Sequence, residues 1–306
     1  MFFVLMQNYP VIKWFDRNTV KHLRFSFSFF LLPVFLFAVS QAPEVNWVNA
    51  AIAFIILHFL IFPSSNGYNS YQDRDETSIG GLKNPPKVSK NLYYVTLLFD
   101  IAGILLALFV SIYFSVFILI FVIMSRLYSY RGIRLKQYPV TAFMIVFIFQ
   151  GAFVYLMTFA AVTSFSFSGF FSAANIVCMA IASLFIGSMY PLTQIYQHEA
   201  DKKDGVISLS YKLGYHGTFL FSAALFVTAS ALLLFHLTIQ NHRLTLLLFL
   251  VFILPLIFQL SKWFGLVKKN IANADFEHTM KTNLLASTCM NCFFLILIIN
   301  NQILIL

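Results

Sequence analysis

The chain has 306 residues, of which 60% are hydrophobic and only 10% are charged, and its mean hydropathy is +0.82. A soluble domain carries about 25% charged residues, so the composition excludes a water-soluble fold. The formal net charge of +9 would suggest nucleic acid as the partner of a soluble protein. In a membrane protein it instead indicates orientation and affinity for anionic groups, and we expect no nucleic-acid partner.

Apolar stretches long enough to cross a bilayer recur along the whole chain. A hydrocarbon core of about 30 Å needs about 20 apolar residues in a helix, and the continuous runs favour helices over spanning strands. The sequence predicts an all-α fold, a polytopic bundle of about nine transmembrane helices in one domain over residues 1–306. The spans lie near residues 24–42, 47–64, 91–112, 114–128, 139–162, 171–193, 217–239, 243–262 and 282–303.

The basic residues fall almost entirely on one side of this topology. With nine spans and a cytoplasmic N-terminus, 19 of the 20 Lys and Arg lie in inside segments, and only Arg243 lies outside. This is the distribution that the positive-inside rule describes. We therefore predict a multi-pass protein of the inner or plasma membrane, with the N-terminus and the acidic loops in the cytoplasm.

The loop after the second predicted span carries the first acidic cluster, in the segment NGYNSYQDRDETSIGGLKNPPKVSK. Asn69 and Asp73 are four residues apart, so they share a face if the second helix continues through them. Asp75 and Glu76 follow closely. Oxygen ligands grouped in this way suit a hard cation such as Mg²⁺, which usually takes one or two carboxylates together with substrate phosphate oxygens.

The loop after the sixth predicted span carries the second cluster, in the segment YPLTQIYQHEADKKDGVISLSYKLG. Gln194, Gln197, Asp201 and Asp204 are spaced 3, 4 and 3 residues apart, which would stack them on one helical face. Glu199 points elsewhere unless the helix breaks. Cations beside both clusters would hold the rest of a diphosphate. The alternative is that both segments are solvated loops of mixed charge.

These loops resemble those of the UbiA superfamily of intramembrane prenyltransferases, whose members have nine helices and two Asp-rich cytoplasmic motifs. Asn69 and Asp73 match the first Asn and the middle Asp of the motif NDxxDxxxD. Ser70 and Thr77 stand in place of its other aspartates, and Asp75 or Glu76 could substitute if the helix end shifts.

The second family motif, DxxDxxxD followed by a basic, Gly-containing stretch, resembles QIYQHEADKKDGVISL. Asp201 and Lys202 match it, whereas Gln194 and Gln197 replace the first two aspartates. The segment YSYRGIRLKQYPV resembles the family's basic loop between the fourth and fifth helices.

The resemblance implies Mg²⁺-dependent transfer of a prenyl group from a prenyl diphosphate to a hydrophobic, often aromatic, acceptor in a central cavity that excludes water. The implied metal ligands are Asn69, Asp73, Asp75, Glu76, Gln197 and Asp201. The implied diphosphate-binding residues are Arg74, Lys83, Arg134, Lys136 and Lys202, with Arg24 as a further candidate.

Asp100 lies near mid-membrane in the third predicted span, where an acid is costly and is expected to face the bundle interior. One interpretation makes it a catalytic residue, alongside Asp73 and Asp201, which orients the acceptor or takes a ring proton. The other interpretation is a buried, hydrogen-bonded acid that holds helices together. The CxxC of Cys289 and Cys292 lies in the last apolar stretch, where packing explains it.

Three other functions compete with the prenyltransferase hypothesis. A transporter would place its polar groups at the membrane midplane, whereas the polar clusters here lie at the cytoplasmic edge. A phosphatidyl transferase of the CDP-alcohol type would need a DGxxAR-type motif, which the sequence lacks. A catalytically inactive relative of the prenyltransferases is compatible with the replaced aspartates.

Overall fold

The computed structural model is helical throughout, which confirms the predicted all-α class. It describes residues 14–163, 169, 171–240 and 243–303, and within these ranges the only β pairing is an isolated bridge between Ile79 and Leu82. The main helices, in chain order, are α1 Arg17–Phe30, α2 Leu32–Gln41, α3 Trp47–Asp73, α4 Asn91–Ala107, α5 Ile112–Ser129, α6 Pro139–Val162, α7 Ala173–Gln194, α8 His198–Lys203, α9 Leu209–Ile239, α10 Arg243–Lys269 and α11 Phe276–Gln302.

Among the described residues, seven helices are long and apolar enough to cross a membrane: α3, α5, α6, α7, α9, α10 and α11. Helices α1 and α2 pass the same test together but are bent by 43°, which would make an eighth span. Helix α4 is apolar but has only 17 residues. The seven long helices, the bent pair and α4 each overlap one of the nine predicted spans. The count of nine spans itself stays a prediction.

Capping side chains set the start of several helices. The Ser111, Ser172 and Ser208 side chains accept hydrogen bonds from backbone N–H groups in the first turns of α5, α7 and α9. Asp275 does the same for α11. Each cap satisfies a backbone donor that would otherwise lack a partner at the helix end.

The helices form two compact units. The described part of the first unit covers residues 14–29 and 52–134, with Leu23, Leu92 and Val95 fully buried at its centre. Gly67 of α3 allows close packing there, because a Cβ at this position would lie 2.9 Å from the Thr96 side chain. The absence of a side chain at residue 67 therefore fixes how closely α3 approaches α4.

The described part of the second unit covers residues 30–51 and 135–303 with their gaps. Helices α6 and α7 approach closely at Gly151 of α6, where a Cβ would lie 2.4 Å from the Ser183 Cα atom of α7. Phe37 of α2 stacks on Phe294 of α11 with ring centroids 4.8 Å apart. Trp263 of α10 is completely buried, and its indole N–H donates to the Asn273 carbonyl at 2.8 Å.

Candidate active site

The first motif occupies the last turns of α3. The helix continues to Asp73, so Asn69 and Asp73 share one face, as predicted. The Asn69 amide nitrogen donates to the Ser129 hydroxyl at the end of α5 at 3.1 Å. This hydrogen bond fixes the amide and leaves its carbonyl oxygen as the atom that can bind a ligand.

The basic loop that follows α5 packs onto this helix end. Arg131 Nε donates to the Gln72 carbonyl at 2.6 Å, and Arg131 Nη2 donates to the Asp73 carbonyl at 3.1 Å. Arg134 Nη2 lies 3.5 Å from Asp73 Oδ1, and the Asp73 side chain is only 6% exposed. Cations at a helix C-terminus are favourable because the last carbonyls carry partial negative charge. The contacts bring two arginines and one carboxylate together, of which Arg134 and Asp73 belong to the predicted site and Arg131 does not.

Arg24 connects three segments of the first unit. Its guanidinium donates to the Asn66 carbonyl at 2.9 Å and to the Gly80 carbonyl at 3.0 Å, and it lies over the Phe27 ring at 5.4 Å. Two of its nitrogens are thus engaged by backbone carbonyls. These contacts support a role in positioning α3 and the 79–82 turn.

Three arginines adopt a backbone conformation that side-chain-bearing residues seldom take. Arg24, Arg74 and Arg134 have φ values of 48°, 56° and 46°, and no other non-glycine residue in the described ranges has a positive φ. This conformation costs about 1 kcal/mol for such residues, and strained backbone clusters at functional sites. All three belong to the predicted diphosphate-binding set. The sequence carries no signal for this conformation, because glycine is the usual residue at such positions.

The other predicted residues of the first loop lie beyond the helix. Arg74 is exposed, with its guanidinium 5.9 Å from the Tyr71 ring centroid. Asp75 is half-buried, whereas Glu76 and Lys83 are exposed. Since α3 ends at Asp73, neither Asp75 nor Glu76 continues the helical face of Asn69, so any contribution to a metal site must come from the loop.

Asp100 is buried and engaged by neighbouring helices. Its carboxylate accepts from the Ser64 hydroxyl at 2.6 Å and from Arg126 Nε at 2.9 Å. The Arg126 guanidinium also lies 3.9 Å from the Tyr68 ring centroid. These contacts join α3, α4 and α5, and they favour the interpretation of Asp100 as an acid that holds helices together.

The second motif lies across a break between two helices. Helix α7 ends at Gln194 and α8 begins at His198, with Gln197 as its N-cap residue. The expected single helical face through Gln194, Gln197 and Asp201 is therefore interrupted. Asp201 is half-buried in α8, where its backbone N–H donates to the Gln197 carbonyl at 2.8 Å.

Gln194 is a candidate ligand that the predicted metal set leaves out. Its amide nitrogen donates to the Tyr190 hydroxyl at 2.9 Å. Its carbonyl oxygen is buried and has no hydrogen-bond partner among the described residues. An unsatisfied buried acceptor costs about 1–3 kcal/mol. Gln194 occupies the position of the first motif aspartate, which makes its oxygen a candidate ligand atom.

Two side chains of α8, the helix that carries Asp201, have defined partners: His198 is neutral and Lys202 is positively charged. Burial lowers the pKa of His198 to about 4, although the Glu199 charge opposes this shift, and its Nε2 lies 2.8 Å from the Ser210 hydroxyl. The hydrogen bond with Tyr211 raises the pKa of Lys202, with a further contribution from Glu199. His198 is therefore a neutral packing residue at pH 7, whereas Lys202 is a cation. Lys136, the remaining predicted cation, is half-buried in a 3₁₀ turn, Leu135–Gln137.

The described residues contain no group of three or more His, Cys, Asp or Glu that could hold a metal ion by themselves. Magnesium sites seldom require one, because Mg²⁺ commonly takes one or two carboxylates and completes its shell with water and phosphate oxygens. Asn69 and Asp73, one turn apart on α3, are a donor pair of this kind, and Gln194 and Asp201 are further oxygen donors at the end of α7 and in α8. The residues present fit Mg²⁺ that is bound together with a phosphate-bearing ligand.

The second unit contains an apolar cavity of about 600 Å³, counting the space at its mouth. Phenylalanines from α2, α7, α9 and α11 form much of its wall, and three side chains supply polar atoms: Ser188, Asn283 and Ser287. Ser188 lies six residues before Gln194 on α7, which is roughly 9 Å along the helix axis. Helix α7 thus carries both a residue that lines the cavity and the first residue of the second motif.

Comparison with known proteins identifies the family. The sequence profile of the UbiA prenyltransferase family matches residues 29–285. The fold is similar to that of a UbiA homolog from Archaeoglobus fulgidus bound to GPP and Mg²⁺, with a TM-score of 0.63 and 18% identity over 92% of this chain and 99% of that one. The same homolog bound to DMAPP and Mg²⁺ gives the same values.

A digeranylgeranylglyceryl phosphate synthase is also similar, with a TM-score of 0.57 and 19% identity over 93% of this chain and 98% of that one. At these identities the structures show a common fold and nothing finer. A search of curated proteins finds no match. Because the family profile covers most of its length, the chain belongs to the UbiA prenyltransferase family.

Proposed function

We propose that the protein transfers a prenyl group from a prenyl diphosphate to a hydrophobic acceptor within the membrane, and that the reaction depends on Mg²⁺. The observation that carries the proposal is the nearly buried Asp73 carboxylate at the end of a membrane helix, with Arg131 and Arg134 packed against it. The similar A. fulgidus homolog, bound to GPP or DMAPP with Mg²⁺, supports it. A mere solvated loop would not bury its acid in this way.

The proposed reaction breaks the allylic C–O bond and leaves its electron pair on the departing diphosphate. The acceptor forms a new bond to the allylic carbon and loses a proton. Magnesium, when bound, neutralises developing charge on the diphosphate. The proposed diphosphate ligands are Arg74, Lys83, Arg134, Lys136 and Lys202, of which Arg134 is fixed by its contact with Asp73.

We assign the metal-binding role in the first motif to Asn69 and Asp73, and in the second to Asp201, Gln197 and Gln194. Asp75 and Glu76 are proposed as accessory groups from the loop beyond α3. Arg24 is assigned to positioning, since backbone carbonyls engage its guanidinium. Asp100 is assigned to helix packing because of its contacts with Arg126 and Ser64.

The finer proposals concern orientation and acceptor. The distribution of 19 of 20 basic residues supports a cytoplasmic position for the N-terminus and for both motifs. The family resemblance supports an aromatic acceptor, whereas the similarity to a digeranylgeranylglyceryl phosphate synthase makes a glyceryl phosphate the competing class.

The test is diphosphate release by the purified full chain in lipid nanodiscs, with geranyl diphosphate and 1,4-dihydroxynaphthalene as substrates, in Mg²⁺ or in EDTA. We expect release only with Mg²⁺, and at least about a hundredfold lower kcat for Asp73→Asn, since the lost charge serves both the metal and the arginines. Glu277→Gln removes an exposed acid outside both motifs and should leave the rate unchanged.

Failure would take one of two recognisable forms. Flux of geranyl diphosphate across sealed vesicles without chemistry would support a transporter. No release with this phenol or with a prenylated glyceryl phosphate would identify an inactive relative of the family.

A further inference from the structure

The cavity of the second unit is lined by two polar side chains that form no hydrogen bond with any described residue. Asn283 and Ser287 lie one turn apart on α11 and face the cavity together with Met290 and Phe294 of the same helix. They are only 5% and 6% exposed. No described residue forms a hydrogen bond with either side chain, whereas the third polar residue, Ser188, donates to the Phe185 carbonyl at 2.7 Å.

Unsatisfied polar groups in an apolar cavity are unfavourable. A buried amide or hydroxyl without a hydrogen bond costs about 1–3 kcal/mol, and nonpolar residues of similar size would remove that cost. An amide both donates and accepts, as does a hydroxyl. The two groups are therefore arranged to bind a ligand that presents a hydroxyl or carbonyl to them.

We propose that Asn283 and Ser287 recognise a neutral hydroxyl or carbonyl of the prenyl acceptor, and that they select phenol-like or quinol-like acceptors over phosphate-bearing ones. This inference rests on the proposed function. A hydrocarbon tail cannot satisfy these groups, so the isoprenoid chain does not explain them. None of the residues that line the cavity is charged, so a phosphate would lose its solvation there without compensation.

The position of the cavity suits an acceptor. Asn283 lies seven residues into α11, roughly 10 Å from the helix start, and Ser188 lies at a similar depth before the second motif. A ligand at this level lies one or two helical turns into the membrane from Gln194. Because the allylic carbon is bonded directly to the diphosphate, a diphosphate held at the motif would place that carbon between Gln194 and a ligand at this level.

The experiment measures acceptor binding without any prenyl diphosphate, so it stands apart from the test of catalysis. Equilibrium dialysis of the full chain in nanodiscs uses 1,4-dihydroxynaphthalene as the neutral probe and a monoprenyl glyceryl phosphate as the charged probe. We expect the wild type to prefer the neutral probe. Asn283→Leu should weaken that binding about tenfold or more, and Ser287→Ala about threefold, as expected for lost hydrogen bonds.

Asn291→Leu is the matched control. Asn291 lies on the same helix, is equally buried, and has no hydrogen-bond partner among the described residues, but it does not line the cavity. Its replacement should leave binding within about twofold of the wild type. Asn283→Leu should keep or raise the melting temperature, since it removes an unsatisfied amide, which separates a binding loss from unfolding.

Three results would overturn the proposal: no binding of the neutral probe to the wild type, equal losses in the Asn283 and Asn291 variants, or preference for the charged probe. Binding of geranyl diphosphate, measured in the same way, should change less than twofold in Asn283→Leu. A larger change would assign the cavity to the prenyl substrate instead. If diphosphate release fails while neutral-probe binding follows the expected pattern, only the proposed catalysis is wrong.

Discussion

Each of the two motif-bearing regions has a residue with a positive φ just after its helix, but the two residues differ. In the first unit Arg74, with φ 56°, comes directly after α3, whereas in the second unit Gly205, with φ 73°, is the second residue after α8. Glycine takes this conformation without strain. The first region therefore carries a backbone cost at a cationic residue, and the second does not.

Both units combine polar contacts with close packing. Polar contacts join helices of the first unit, through Asp16, Asn69 and the Asp100–Arg126 pair. In the second unit, the Tyr155 hydroxyl donates to Asn175 across two helices, beside the backbone approach at Gly151 and the stacked rings. The proposed anion ligands are likewise divided between the units, whereas the apolar cavity belongs to the second.

The largest expected effect tests the close packing of the second unit. Gly151→Ala should destabilise the protein by about 3 kcal/mol, because the added Cβ would meet the Ser183 backbone, which cannot move aside cheaply. Gly67→Ala in the first unit should cost about 1 kcal/mol, because the Cβ there meets side-chain atoms of Thr96 and Leu23. Unfolding in mixed detergent with denaturant measures both.

Gly217→Ala serves as the control, since a Cβ at that position makes only ordinary contact, 3.4 Å from Leu213 Cβ. It should be neutral or slightly stabilising because alanine favours a helix. If Gly67→Ala proves as damaging as Gly151→Ala, side-chain neighbours resist an added Cβ as strongly as backbone neighbours do.

The second prediction concerns the amide that stands in for a motif aspartate. Gln194→Asp should lower the Mg²⁺ concentration for half-maximal activity several-fold, because a carboxylate binds Mg²⁺ more tightly than an amide. Gln194→Leu should raise it by a similar factor. Titration of diphosphate release with Mg²⁺ measures both changes, with Gln259→Leu of α10, which lies outside the motif, as the control. Equal Mg²⁺ dependence in all variants would show that the buried oxygen is not a ligand.

The apolar helices could be predicted from the sequence, because the length and hydrophobicity of an apolar run decide whether it can span a membrane, and basic residues mark the loops between such runs. It also placed Asn69 and Asp73 on one face, because a four-residue spacing fixes that whenever the helix continues. The break between Gln194 and His198 could not be predicted, since the segment QIYQHEAD contains neither proline nor glycine.

The remaining features depend on tertiary contacts. Arg126 was assigned by its charge to an inside segment, whereas it lies within α5 and pairs with Asp100. The sequence does not predict that the Gln194 oxygen and the Asn283 side chain lack hydrogen-bond partners among the described residues. Whether a polar group finds a partner depends on the side chains that tertiary packing brings near it. The single domain, the nine spans and the roles of the site residues stay predictions.

The third prediction separates backbone strain from charge at the end of α3. Arg74→Gly should stabilise the protein by about 1 kcal/mol, because glycine adopts the left-handed conformation freely, while weakening geranyl diphosphate binding several-fold through the lost cation. Gly205→Ala in the second unit should destabilise by about 1 kcal/mol from the same backbone effect alone. Thermal shift and dialysis binding measure the two quantities.

Arg24→Gly is the informative counterpart, because it relieves the same strain but removes the hydrogen bonds to the Asn66 and Gly80 carbonyls. We expect a net loss of stability in this variant. A gain in Arg24→Gly equal to that in Arg74→Gly would mean that these hydrogen bonds contribute little to positioning α3.

The smallest expected effect compares the acidic caps of the two units. Burial raises the pKa of Asp16, but hydrogen bonds from the Thr19 amide and from the Asn91, Thr19 and Ser89 side chains outweigh it, so the pKa lies below its ordinary value. The carboxylate therefore stabilises the folded state fully above about pH 4 and loses this effect as the pH falls through the folded-state pKa.

Asp16→Asn should cost about 1 kcal/mol at pH 7, because an amide nitrogen cannot accept the hydrogen bonds that Oδ2 receives from Thr19, Ser89 and Asn91, and the difference from the wild type should shrink as the pH is lowered below about 4. Asp275→Asn tests the cap of α11. Among the described residues, the Asp275 side chain forms hydrogen bonds only with His278 in the first turn of that helix. This substitution should cost less, because Asp16 also links α1 to α4 through Asn91. The measurement is the melting temperature of each variant from pH 3 to 7. Equal losses of stability in the two variants would mean that the hydrogen bond between Asp16 and Asn91 does not stabilise the first unit.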